Sequence, residues 1–145
     1  MKKELKELKF EIEPKMKRNI LRKRSKSPIA KVKAKIQTRL TERVRIRDGG
    51  CIFRNYPETG RCGGVTAADH IITRQIASTY GDLRNTVCSC WAHHKFFKEK
   101  NPTIYAKIVE KHIGARTYNL IHKIAGQSEP KSLKEWEKAL EKLEK

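Results

Sequence analysis

Apolar residues recur at spacings of three and four in several separate stretches of the chain, each ended by a residue that stops a helix. Leu5, Leu8 and Ile12 share one face of a short amphipathic segment, residues 2–12, which Pro14 terminates. Ile29, Val32, Ile36, Leu40 and Val44 form a longer stripe that predicts a helix over residues 29–47. Asp48-Gly49-Gly50 follows, with glycine available for a left-handed cap. Residues 51–92 lose the helical period. They hold all four cysteines and the turn glycines Gly60, Gly63, Gly64 and Gly81, so short strands and loops are expected there. Residues 93–100 open a helix. Asn101 as cap and Pro102 at the first position begin another, with Ile104, Tyr105, Ile108, Val109 and His112 on one face and Gly114 at its end. Tyr118, Ile121 and Ile124 mark a further helix that Gly126 closes. Ser132 and Glu135 have capping-box spacing, and Leu133, Trp136, Leu140 and Leu143 follow them. Two heptads fall short of the roughly three or four that a coiled coil needs, so docking on the parent domain is preferred to a dimer seam. The chain thus divides into a basic N-terminal arm (1–28), a central domain (29–126) and a C-terminal amphipathic helix (127–145), without repeats at solenoid periods.

Composition changes this picture in one respect. The 145 residues suit one domain with a modest core, but 34 Lys+Arg stand against 16 Asp+Glu, a net charge of +18. The excess is concentrated: from Lys15 to Arg47 there are fourteen basic residues and a single acid, Glu42. Its densest part, Arg22-Lys23-Arg24-Ser25-Lys26-Ser27-Pro28, cannot bury enough surface to offset the entropy of ordering. A merely solvated linker or targeting tail needs about five to eight basic residues, and this run is far longer. An arm that orders on a phosphate backbone is therefore expected, with Arg22, Lys23 and Arg24 among its contacts. No apolar run approaches the ~18 residues of a membrane span, and Met1-Lys2-Lys3-Glu4 lacks the apolar region of a secretory signal. These features lead us to expect a cytoplasmic protein, with no membrane partner, that binds a polyanion.

Four cysteines in such a chain argue for metal rather than disulfides, which would have three possible pairings. The spacings are Cys51-x10-Cys62 and Cys88-x-Cys90-x2-His93-His94. Cys51, Cys62, Cys90 and His93 would complete a four-ligand N/S site, with Cys88 as an extra thiol able to replace Cys90. The loops carrying these residues are expected to have little other core, so that a bound zinc would contribute folding energy directly.

The order of residues within this stretch adds a chemical reading. Asp69-His70-Ile71-Ile72, Asp82-Leu83-Arg84-Asn85 and Cys90-x2-His93-His94-Lys95 follow one another in a pattern that resembles the HNH endonuclease family, over about residues 40–100. Asn101 to Gly126 is similar to the corresponding stretch of phage recombination nucleases of the NinG type. The resemblance implies an α+β fold: a small ββα-metal motif with a structural zinc site, surrounded by helices. It implies His70 as general base, Asn85 fixing the loop and orienting that base, and Asp69 and His94 holding one catalytic divalent cation. Cys51, Cys62, Cys90 and His93 would bind structural Zn²⁺. The implied substrate is DNA, duplex or branched, cut to 5′-phosphate and 3′-hydroxyl ends, in a protein of phage or mobile-element origin. The chain departs from the family in the insert from Ile52 to Arg61, in His93 where many members have Cys, and in Cys88.

The same residues suit phosphodiester hydrolysis on chemical grounds. The reaction needs a nucleophile from water and a cation that neutralises charge on the phosphate oxygens. A histidine, with an ordinary pKa near 6.5, is a suitable base. One carboxylate and one imidazole leave an open coordination sphere for Mg²⁺, or for Mn²⁺ or Ni²⁺, which take imidazole readily. Adjacent strand residues point to opposite faces, so twist or a bulge is expected to bring Asp69 and His70 to one phosphate. Arg74 first, then Lys95, Arg84 and Lys98, are candidate phosphate contacts. Trp91 is expected to fill the core, with contact to a base as the alternative for an aromatic at that place, and His112 and His122 to pack or lie at the surface. The competing readings are a catalytically silent zinc-binding DNA-binding module and a recombination or assembly protein, monomeric or homodimeric. If the basic run neutralises about eight phosphates, log K for DNA should fall against log salt with a slope near about −7, measurable by fluorescence anisotropy across a salt series.

Overall fold

The computed structural model describes residues 25–145; the segment over residues 2–12 and the arm residues Arg22, Lys23 and Arg24 lie outside the described residues. The long apolar stripe forms helix α1, Pro28–Asp48. Ser27 caps its start by accepting the Ala30 N–H, Pro28 occupies the first turn, and Gly49, at φ 64°, donates its N–H to the Arg45 carbonyl. Ile36, Leu40 and Val44 are buried, whereas Ile29 at the frayed end of the stripe is exposed.

Two five-residue strands, β1 (Thr66–His70) and β2 (Thr86–Cys90), pair antiparallel in unbroken register, Ala68 opposite Cys88 and Asp69 opposite Val87. So small a sheet is marginal by itself. Helix α1 supports it along the outer edge of β1, through a stripe of side chains four residues apart. Gln37 Nε2 donates to the Ala68 carbonyl, Thr41 Oγ1 accepts the Ala68 N–H, and the Arg45 guanidinium donates to the Thr66 carbonyl. The strand edge is thereby satisfied by side chains instead of a third strand. Asp48, at the end of α1, accepts the Cys88 N–H at 2.8 Å, pairs with Arg47 and lies 3.1 Å from His112 Nε2, which ties α1 to β2 and to the helix bearing His112.

The strands contribute side chains to two cores. Ala68 and Cys88 join Ile36, Leu40, Val44, Tyr80, Trp136 and Leu143. Val87 joins Cys51, Phe53, Cys90, Phe97, Tyr105, Ile108 and Val109, so the Cys-bearing loops have more apolar support than their sequence led us to expect. After β2 the chain turns helical at Trp91, passes through a π turn, His93–Phe97, and ends in the single turn α2, Lys98–Lys100. Helix α3 (Pro102–Ile113) buries Tyr105, Ile108 and Val109, and Gly114 at φ 85° separates it from α4 (Ala115–Ala125). The expected Asn101 side-chain cap is absent. At ψ 57° its backbone does not aim the amide at the first-turn N–H groups, and only its carbonyl takes part, accepting the Tyr105 N–H at 2.9 Å.

Helix α5, Leu133–Glu144, begins with the capping box of Ser132 and Glu135 and packs on α1 through Trp136 and Leu143. Arg43 donates twice to the Leu143 carbonyl, satisfying a group in the last turn of α5. The C-terminal helix therefore docks on its own domain. The architecture is α+β, with five α-helices and one two-stranded sheet among the described residues, and no described helix is long and apolar enough to cross a membrane. Trp136 meets the Tyr80 ring edge-on at 5.5 Å inside this contact. Trp136→Ala should lower unfolding stability by about 3–5 kcal/mol, read from urea denaturation.

Candidate metal centre and adjoining cleft

Cys51, Cys62, Cys90 and His93 come together at the end of β2, with their ligand atoms all within 4.8 Å of one another. His93 Nδ1 lies 3.0 Å from Cys90 Sγ, 3.5 Å from Cys51 Sγ and 3.7 Å from Cys62 Sγ. Tetrahedral zinc, with Zn–S of about 2.3 Å and Zn–N of about 2.0 Å, separates sulfur from nitrogen by roughly 3.5 Å. The donor set could hold a metal ion and is compatible with structural zinc. Cys88 is not part of it. It lies opposite Ala68 in the core beneath α1, so Cys90 is the thiol that β2 supplies.

The other nitrogen of His93 identifies a residue that sequence reasoning missed. Thr59 Oγ1 is 2.7 Å from the Tyr56 carbonyl, which takes its single proton, and 3.0 Å from His93 Nε2. The hydroxyl oxygen therefore accepts from Nε2–H, which leaves the Nδ1 lone pair facing the three sulfurs. A threonine 34 residues from its partner carries no spacing signal. Phe53 stacks on the same imidazole at 5.3 Å and Phe97 meets it edge-on, so the ring is fixed on every side. Burial pushes the Cys51 thiol up to about 12. Burial acts in the same direction on Cys90, but hydrogen bonds from the His93 and Gly63 backbone N–H groups lead the effects that outweigh it and bring Cys90 to about 6. Three thiolates in this space would need a cation to hold them.

On the outer side of the same helical segment lies a cleft of about 470 Å³ lined by Asp69, His70, Arg74, Trp91, His94 and Lys98, among others. Asp69 is buried and fully engaged: Oδ1 is 2.9 Å from His94 Nδ1 and 2.7 Å from Lys98 Nζ, and Oδ2 accepts from the Tyr105 hydroxyl at 2.5 Å. Burial alone would raise its pKa. The bonds to His94, Lys98 and Tyr105 and the Lys98 charge prevail and keep the carboxyl below its usual range. Tyr105 reaches this carboxylate from α3, and nothing in its sequence position announces that role.

His70 is 7% exposed, and its ring stacks on Tyr80 at 5.4 Å with an interplanar angle of 8°. Burial, followed by the Arg74 charge, lowers its pKa to about 4. Among the described residues, two buried side-chain polar atoms have no hydrogen-bond partner, Gln37 Oε1 and His70 Nε2, and both residues line this cleft. Such atoms mark a place where a further group can bind. Of the twist or bulge expected to bring Asp69 and His70 together, no bulge occurs. The register runs unbroken to His70, and the cleft lies at the end of β1, where residues from both faces reach it.

Asn85 is wholly buried and bonds the loop that follows His70. Its Oδ1 accepts the Ile72 N–H at 2.8 Å, and its Nδ2 donates to the Ile72 and Thr79 carbonyls. The His70 ring takes its orientation from Tyr80. Of the flanking cations, Arg74 and Lys98 line the cleft, Lys95 pairs with Glu99, and Arg84 is bound to Asp82. His112 contacts Asp48, and His122 packs on Tyr118. Trp91 corrects its expectation of core filling: it is 52% exposed, and the aromatic that stacks on His93 in the core is Phe53.

No protein-family model, curated protein or solved structure matches this chain. The geometry of the metal centre leads to a direct test. Thr59→Val removes the acceptor for His93 Nε2–H and should weaken zinc affinity about 10–100-fold in competition with a chromophoric chelator, whereas Cys88→Ala should leave that affinity unchanged.

Proposed function

We propose that this protein is a metal-dependent DNA endonuclease of the ββα-metal kind, hydrolysing phosphodiester bonds in the cleft at the end of β1. One observation carries the reading: the adjacent Asp69 and His70 and the sequence-distant His94 line a single cleft, with Asp69 Oδ1 2.9 Å from His94 Nδ1. Neighbouring ligands of an octahedral ion, each at about 2.1 Å, lie about 3.0 Å apart, so an oxygen and a nitrogen of this pair fit Mg²⁺, Mn²⁺ or Ni²⁺. When bound, that cation supplies charge stabilisation to the phosphoryl oxygens.

The remaining roles belong to the chain itself. The environment of Asp69 keeps it ionised. Above about pH 4 His70 is neutral, and its unpartnered Nε2 is ready to take a proton from the attacking water. An incoming phosphodiester anion raises the basicity of that ring by opposite charge. Arg74 and Lys98 supply positive charge along the cleft. Lys98 shares the Asp69 oxygen with His94, so it competes with a cation there, and when displaced it has a phosphate to turn towards. The Cys/His centre, built on the same segment as His94, takes the structural role and Zn²⁺ its place. The high positive charge favours a polyanion and supplies affinity with little regard to sequence.

Supercoiled plasmid incubated with the zinc-loaded protein tests the reading. Nicking is expected on addition of Mg²⁺ or Mn²⁺, and His70→Ala should reduce its rate by about 10²–10⁴-fold while still shifting DNA in a gel. Absence of metal-dependent nicking by the wild-type protein, with DNA binding retained, would replace the enzyme by a silent zinc-binding module.

A further inference from the structure

Trp91 does not behave as a core residue, and the structure around it shows that its outward position is imposed. Its N–H donates to the Val65 carbonyl at 3.0 Å, and the next N–H, of Ala92, donates to Gly63. The intervening Gly64 has φ 76°, and a Cβ there would come within 2.9 Å of the Trp91 Cβ. Phe96 braces the indole edge-on, with centroids 4.9 Å apart and planes at 86°. Three apolar side chains are thus held in solvent beside the cleft: Val65 at 76% exposure, Trp91 at 52% and Phe96 at 49%. Trp91 lines the cleft together with His94 and Lys98, which follow it on one helical segment.

We propose that Trp91 is a stacking platform for an unpaired base, so that the cleft selects DNA with a single-stranded segment at the phosphodiester to be cut. The inference rests on the nuclease reading for the identity of the cleft and deepens it by naming the substrate class. In a duplex both faces of a base are covered by its neighbours, whereas every unpaired base offers a π-face to an aromatic side chain regardless of sequence. Trp91 precedes His94 by three residues on one helical segment and both line the cleft with Asp69, so a base on the indole lies beside a phosphate held at Asp69 and His94. The charge agrees with this occupant: Arg74 and Lys98 line the same cleft in a chain of net charge +18. An exposed aromatic in a positively charged groove is the combination that single-strand binding uses.

The test uses the zinc-loaded full chain without Mg²⁺ or Mn²⁺. Of the two tryptophans, Trp136 is buried in the α1–α5 contact, so changes in emission report Trp91. Oligothymidylate should quench that emission, and a blunt duplex hairpin of equal length should quench it much less. Trp91→Ala should weaken oligothymidylate binding about tenfold and change duplex binding less than about twofold, while Trp91→Phe restores most of the loss. Equal zinc content in the variants establishes that they fold. Equal effects of Trp91→Ala on both DNAs, or none on either, overturn the inference, and a surface built for a protein partner is then the remaining explanation. Failure here is separable from failure of the nuclease reading. Plasmid nicking without single-strand preference removes the stacking role alone, whereas selective quenching without cleavage of any DNA keeps it and removes the enzyme.

Discussion

Two antiparallel strands of five residues have one partner edge each and too little apolar surface to persist in water, so everything positioned by the hairpin depends on what closes its outer edge. Helix α1 does this with hydrogen bonds as well as packing. Gln37, Thr41 and Arg45 satisfy the free carbonyls and N–H of β1, and Ile36, Leu40 and Val44 cover the face on which Ala68 and Cys88 lie. Because the two sets occupy adjacent stripes of one helix, shifting α1 along the strand would lose both at once. Helix α5 packs on α1 through Trp136 and Leu143 in the same core and keeps it in place, while Asp48 joins its end to β2.

The second organising feature is the short segment after β2. Within nine residues it contributes Cys90 and His93 to the metal centre and Trp91, His94 and Lys98 to the cleft. Consecutive histidines serve opposite sides: His93 is buried among Phe53, Phe97 and three thiols, while His94 meets Asp69 in the cleft. The π turn over His93–Phe97 widens the helix where these side chains diverge, and such turns recur at functional sites. An ion at the Cys/His centre would hold the start of this segment, and through it the direction of His94. Folding and chemistry are joined there by covalent adjacency, not by a long relay.

Asp69 shows how the interior stabilises a buried charge. Burial of a carboxylate is unfavourable unless its oxygens are bonded, and here His94, Lys98 and Tyr105 come from two different helical segments to bond them. His70, its neighbour in sequence, has the opposite treatment: a stacked ring, a low pKa and one nitrogen left without a partner. One residue is stabilised as an anion and the next kept as a neutral base, which strand alternation permits because each side chain faces different surroundings.

Local chemistry was legible from the residues alone. Gly49 ends α1, the capping box opens α5, and Gly114 and Gly126 end α3 and α4, since these signals act within a few residues of backbone. The ligand spacing of Cys90 and His93 and the adjacency of Asp69 and His70 could also be read, because short spacings survive folding unchanged. Contacts between distant segments could not. Whether Cys88 or Cys90 faces the thiols depends on the path of β2 against α1; Thr59 becomes a partner of His93, and Tyr105 a partner of Asp69, only when loops and α3 pack against the hairpin. Trp91 is at the surface, while Phe53, from a distant loop, supplies the aromatic beside His93 in the core. Sequence thus determined where elements begin, end and carry candidate chemistry. The tertiary structure decided which side chains meet, because that depends on competition for buried space and for the unpaired hydrogen-bonding groups of a very small sheet.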